Sequence, residues 1–202
     1  MITLESREEA VYLFRKHKGI LRTSQALKLG IHPRTLYALR NAGLVDCLAR
    51  GLYRLAELPP LTEPDLVTVA LKIPDGVICL ISALAFHGLT TQIPHVVDVA
   101  VEQGHRRPRL PYPPVRFFWF SGVAWREGVA TYSVDDVSVR ITVPAKTVAD
   151  SFKYRRKLGR DLALEALERY RRRKDFDVGE LLHYARICRV ENVMRPYLEM
   201  LL

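Results

Sequence analysis

Residues 19–55, GILRTSQALKLGIHPRTLYALRNAGLVDCLARGLYRL, hold the reading on which the fold turns. Ile20 and Leu21 can form a short strand, and Thr23 or Ser24 can cap a brief helix carrying Ala26, Leu27 and Leu29. Gly30 supplies a turn, and Pro33 suits the first helical position behind His32. The next helix, Pro33 to Ala42, turns Leu36 and Leu39 inward until Gly43 stops it. Leu44–Val45 and Leu52–Leu55 then read as strands around a loop from Asp46 to Gly51 that carries Arg50. Two helices about a glycine turn, followed by a basic strand-loop-strand, is the order of a winged helix-turn-helix, so double-stranded DNA is the first partner to test.

Outward from this stretch, residues 6–17 predict a leading helix, with Ser6 and Glu9 in capping-box spacing and Ala10, Leu13 and Phe14 on one face. On the other side, Pro59, Pro60 and Pro64 interrupt regular structure. The expected organisation is a winged-helix domain over residues 1–58, a linker over 59–64 and a second domain over 65–202. In the second domain, helices are expected at about Pro64–Ile73 and Ser82–His87. Runs rich in β-branched and aromatic residues at His95–Val101, Val115–Phe120, Ala130–Val134 and Val137–Val143 predict a small, mostly antiparallel sheet, with Asp135–Asp136 as a turn. A helical tail follows at about Ala145–Lys157, Arg160–Arg173, Val178–Ile187 and 191–201. The fold class is α+β.

With 202 residues, 49% of them hydrophobic, the chain has apolar material for one large or two small cores and is not a disordered tail. A formal net charge of +9 suits a phosphate-bearing partner without choosing among polyanions. Cys47, Cys79 and Cys188 are odd in number and form no CxxC pair, which points to reduced thiols rather than a disulfide framework or zinc. The apolar runs are too short to span a bilayer and the N-terminus lacks the order of a signal peptide, so no membrane role and a cytoplasmic location are expected.

With Leu36 and Leu39 buried, the helix from Pro33 offers Arg34, Thr35, Tyr37, Arg40 and Asn41 to a major groove, where Arg pairs with guanine and Asn with adenine. Arg22, Lys28, Arg50 and Arg54 are cast as supporting contacts, chiefly to phosphates. A protein-protein role for the winged helix is the alternative in a different class.

In the second domain, Lys146 to Lys174 holds eleven Lys or Arg residues against four acids, and Lys146, Lys153, Arg156, Lys157 and Arg160 are candidates for a second basic surface or for an ordinary solvated face. Asp98 and Glu102 could hold a divalent metal for phosphodiester or nucleotidyl transfer while Lys146 neutralises developing charge, but the spacing reproduces no complete nuclease or polymerase motif. The histidines lack ligand spacing, Ser82 lacks a GxSxG elbow, and there is no glycine-rich phosphate loop. No catalytic residue, metal or cofactor is therefore expected. Val190, Val193, Met194, Tyr197, Leu198 and Leu201 share helical spacing that serves a core seam or a self-association face.

Taken together, GILRTSQALKLGIHPRTLYALRNAGLV, ARGLYRL, ISALAFHGLTTQIP, VPAKTVADSFKYRRKLGRDLALEALERYRRRK and LLHYARICRVENVMRPYLEMLL resemble the AbiEi-like antitoxins of bacterial abortive-infection systems. The resemblance implies a winged-helix repressor of its own operon, binding operator DNA with repeated half-sites. It also implies an antitoxin that counters a co-encoded nucleotidyltransferase-like toxin, with or without a stable complex. It places the binding helix at Pro33–Ala42 and the wing at Asp46–Gly51, and associates the C-terminal domain with antitoxicity and, in some members, with promoter engagement.

Overall fold

The computed structural model describes residues 4–201, and the chain divides into two compact units, Met1–Pro64 and Asp65–Leu202. In the first, the order is α1 (Leu4–Lys16), β1 (Ile20–Arg22), α2 (Thr23–Lys28), α3 (Pro33–Asn41), β2 (Val45–Ala49) and β3 (Leu52–Leu55). The strands form one antiparallel sheet in the order β1-β3-β2. Phe14, Leu21, Ala26, Leu36, Leu39, Val45 and Leu55 make its core.

Two details depart from expectation. Neither Thr23 nor Ser24 caps α2; both lie inside it, and the Gln25 side chain accepts the Arg22 N–H at 2.9 Å while the Thr23 N–H goes to Gly51 O at 3.0 Å. The wing is a hairpin, not a six-residue loop: Asp46–Ala49 are strand, and only Arg50 and Gly51 turn. A bulge between Cys47 and Ala49 shifts the register and breaks the in-out alternation, which removes the period-2 signal a reader looks for.

Gly19 joins α1 to β1 at φ 74°, and a Cβ there would collide with the Leu58 side chain. Gly19→Ala is expected to lower the stability of the first unit by more than about 1 kcal/mol, read from its urea midpoint by circular dichroism.

In the second unit, α4 (Pro64–Lys72), β4 (Val77–Ile78), α5 (Leu80–Phe86), β5 (Val97–Glu102), β6 (Val115–Phe120), α6 (Gly122–Arg126), β7 (Val129–Val134) and β8 (Val137–Thr142) lead into a helical tail. The tail comprises α7 (Pro144–Lys153), α8 (Arg155–Leu158), α9 (Arg160–Arg171), α10 (Val178–Ile187) and α11 (Glu191–Leu201). The five-stranded sheet runs β6-β5-β4-β8-β7. The fold class is α+β as expected, but this sheet is mixed rather than mostly antiparallel: β5–β6 and β4–β8 are parallel, β4–β5 and β7–β8 antiparallel. One parallel pair comes from β4, two residues at the centre of the sheet, too short to show any alternation in sequence; the other comes from the long connection between Glu102 and Val115, which lets β6 run in the same direction as β5. Asp135 and Asp136 do turn the β7–β8 hairpin, both at positive φ.

Helix α7 is buried on every side from Ala145 to Phe152 and packs against α5, α9 and α10. Around it lie Leu84, Leu162, Leu167, Tyr170, Leu181, Met194 and Leu198. The apolar stripe of the last helix thus serves the core at Val190, Met194 and Leu198, with Val193 and Tyr197 packed against it. The side chain of Leu201 lies outside the described residues. The Asp177 carboxylate caps α10, accepting the N–H groups of Gly179 at 2.7 Å and Glu180 at 3.0 Å. Asp177→Ala should cost about 1 kcal/mol of stability in a urea melt followed by tryptophan fluorescence, since Trp119 and Trp125 both lie in this unit.

His87 sets a pH dependence. Its Nε2–H donates to Thr142 O at 2.7 Å, and burial lowers its pKa below the ordinary 6.5 despite that bond. The unfolded chain therefore takes up a proton that the folded chain resists. Stability of this unit is expected to be complete above pH 6.5 and to fall as the pH drops below it; the drop in urea midpoint between pH 7.5 and 5.5 should shrink in His87→Gln.

Candidate nucleic-acid interface

The surface is built from the α2–turn–α3 segment. Leu29 to His32 make the turn, with Gly30 at φ 87°, and the imidazole Nδ1 of His32 accepts the Arg34 N–H at 3.1 Å to cap α3. At about 100° per residue, Arg34, Tyr37 and Asn41 fall on one stripe opposite Leu36 and Leu39, and Arg40 flanks it. All four are exposed, Tyr37 by 57%, and none of the four side chains is in a hydrogen bond or ion pair among the described residues. Tyr37 lies near Tyr53 of β3, whose pKa is raised by its own burial first and then by Cys47 and Tyr37. From Arg22 to Arg54 the sequence has six Arg or Lys residues and a single acid, Asp46. A polar, cationic helix face that is not used by its own unit can donate to phosphates and base edges.

Two sequence expectations for this site do not hold in the structure. Thr35 is buried, lining the cleft against Ser6, Glu9, Ala10 and Leu13 of α1, because it precedes Leu39 by four residues and shares its inward face. Arg54, only 8% exposed, donates to the carbonyls of Leu58 (3.4 Å) and Pro59, so it fastens the start of the linker rather than meeting phosphate. Its buried Nε has no partner among the described residues. Lys28 is exposed near the end of α2, Arg22 is half-buried at the head of α2, and Arg50 is exposed at the hairpin tip. The structure thus brings Lys28, Arg34, Tyr37, Arg40, Asn41 and Arg50 to the surface of this unit and removes Thr35 and Arg54 from it.

The second basic surface is also revised. Lys146 is fully buried, its Nζ 2.7 Å from Asp150 Oδ2 and 4.8 Å from the centroid of the Phe120 ring. The Cys188 thiol completes the group, Sγ–H donating to Asp150 Oδ1 at 3.1 Å, and burial together with that carboxylate pushes the thiol pKa up. Lys153, Arg156, Lys157 and Arg160 remain exposed.

The residues considered for metal chemistry are engaged elsewhere. Asp98 is fully buried; Arg116 clamps both its oxygens at 2.7 and 2.9 Å, and the Ile81 N–H adds a bond at 3.1 Å. Glu102 is half-exposed four residues along β5, roughly 13 Å away by strand rise, facing His105 at 3.9 Å. Lys146 is committed to Asp150. Among the described residues no group of three or more His, Cys, Asp or Glu is placed to hold a metal ion, and no helix is long and apolar enough to cross a membrane.

The order α1-β1-α2-α3-β2-β3, with β1 closing a three-stranded sheet against the hairpin, is the order expected of a winged helix. Residues 8–56 match the model of the family described as "Transcriptional regulator, AbiEi antitoxin". In fold the chain is similar to the crystal structure of the RV2827C protein from Mycobacterium tuberculosis, with a TM-score of 0.56 and 13% sequence identity over 95% of this chain and 80% of that one. That likeness concerns the fold alone. No curated protein matches the chain.

Proposed function

We propose that the protein is a sequence-specific DNA-binding repressor of its own operon and an antitoxin against a co-encoded nucleotidyltransferase-like toxin. The observation that carries the first half is the exposed face of α3, where Arg34, Tyr37, Arg40 and Asn41 stand together, in a unit whose hairpin carries Arg50 at its tip. The α3 stripe reads base edges in the major groove, while Lys28, Arg22 and Arg50 hold the backbone. The family match at residues 8–56 supports the regulatory role and, with it, the antitoxin role. Residues 65–202 carry the antitoxin activity and add promoter contacts through Lys153, Arg156, Lys157 and Arg160. Residues 1–58 form the DNA-binding domain and 59–64 the linker, and the operator is read as repeated half-sites.

Titration of the full-length protein against its own upstream DNA and a scrambled duplex, at several fixed salt concentrations, tests the repressor reading. The upstream region should bind at least about a thousandfold more tightly, with both affinities falling as salt rises. Equal affinities at every salt would leave only phosphate binding. Co-expression with a neighbouring nucleotidyltransferase-like reading frame tests the antitoxin reading: growth should be rescued by the full chain and not by a variant lacking residues 65–202.

A further inference from the structure

The second unit carries a basic, aromatic edge of which the DNA-reading proposal uses only Lys153 and Lys157, on one face. Strand β6 ends the five-stranded sheet, and its residues alternate between the two faces. On one face the Lys157 ammonium lies 4.5 Å from the Phe118 ring centroid and the Lys153 ammonium 5.6 Å from that of Phe120. On the other, the Arg107 guanidinium lies 5.4 Å from the Phe117 centroid, and Trp119 Nε1 donates to His105 O at 3.3 Å. That bond ties β6 to the loop HRRPRLPYPP, residues 105–114, in which Arg106, Arg107 and Arg109 are exposed and in no ion pair among the described residues. Two large aromatic rings stand in solvent on this loop and strand: Tyr112 is 61% exposed and Trp119 41%.

Cations alone would fit any polyanion. The exposed rings narrow the choice, because a duplex keeps its bases stacked on one another, whereas an unpaired base has a free π-face for an aromatic side chain. We propose that this edge of the second unit binds single-stranded nucleic acid, with Arg106, Arg107 and Arg109 on the phosphates and Trp119 and Tyr112 stacking on bases. The site belongs to the second unit alone and is separate from α3, so the protein has two nucleic-acid surfaces of different specificity, one for duplex and one for single strands.

The probes are fluorescein-labelled dT12 and U12, titrated by anisotropy into full-length protein saturated with unlabelled upstream duplex. Binding of at least one single strand is expected, weakened about tenfold or more by Arg106→Ser/Arg107→Ser/Arg109→Ser, and by a similar factor in Trp119→Ala or, on the loop, Tyr112→Ala. Upstream-duplex affinity should change less than about twofold in each variant. In Trp125→Phe, where Trp119 is the remaining tryptophan, the single strand should quench the fluorescence. Three results would overturn the proposal: no binding of either strand; loss of duplex and single-strand affinity in parallel, which would mean a duplex backbone contact; or displacement by inorganic polyphosphate with both aromatic variants silent, which would mean a polyanion patch only.

Discussion

Asn41→Ala in the full-length protein is expected to weaken binding to its own upstream DNA by about five- to a hundredfold while leaving the affinity for scrambled duplex and the salt dependence unchanged. Asn41 stands exposed on the same stripe as Arg34 and Tyr37, its side chain in no hydrogen bond among the described residues, and a bidentate side-chain–base pair is worth about 1–3 kcal/mol of discrimination. Asn carries no charge, so its removal touches readout without touching counterion release. Arg34→Ala should lose a similar share of discrimination and also part of the general affinity. Lys28→Ala is the counterpart: exposed, cationic and off the α3 stripe, it should weaken both duplexes alike and reduce the salt slope by about one. If Asn41→Ala and Lys28→Ala behaved identically on the two duplexes, α3 would not be the reading element.

The largest stability effect is expected at Lys146. Lys146→Met strands the Asp150 carboxylate in a fully buried site with the Cys188 thiol as its remaining side-chain donor, and breaking such a pair from one side costs about 3–5 kcal/mol. Lys146→Met/Asp150→Leu removes both charges and should recover most of the loss, since the desolvation penalty disappears with the attraction. Urea melts followed by tryptophan fluorescence report this unit. A double variant as unstable as the single one would mean that the pair contributes packing rather than charge compensation. Gly128 has no Cβ and sits against the aliphatic stem of Lys146 at φ 70°, so this corner of the core tolerates little rearrangement.

Much of the first unit was legible because its signals are local. The Pro33 start, the Gly30 turn, the Leu36/Leu39 face and the exposed Arg34–Asn41 stripe all follow from spacing within one turn or two. What was not legible depends on tertiary placement. Arg54 reads as a cation in a basic strand, but the chain folds the carbonyls of Leu58 and Pro59 over it. Lys146 reads as one charge in a run of eleven cations, yet α7 is buried on all sides, so a charge there must be paired rather than displayed, and Asp150 four residues on supplies the partner. Thr35 lies at the boundary of the apolar arc, where a small polar residue can face either way and only the position of α1 decides. The Arg106–Arg109 loop escaped notice because its arginines are interleaved with prolines, and only its attachment to β6 at Trp119 and Phe117 places them together.

The central claim is that α3 enters the major groove of duplex DNA and reads it. Methylation interference on the full-length protein bound to its own upstream region tests this most directly, because guanine N7 is a major-groove acceptor that Arg can engage. The expected result is that N7 methylation blocks binding at a few guanines in each half-site, and that at one of them Arg34→Ala abolishes the interference. Specific binding indifferent to every N7 methyl group, or interference unchanged by Arg34→Ala, Arg40→Ala and Asn41→Ala alike, would contradict it.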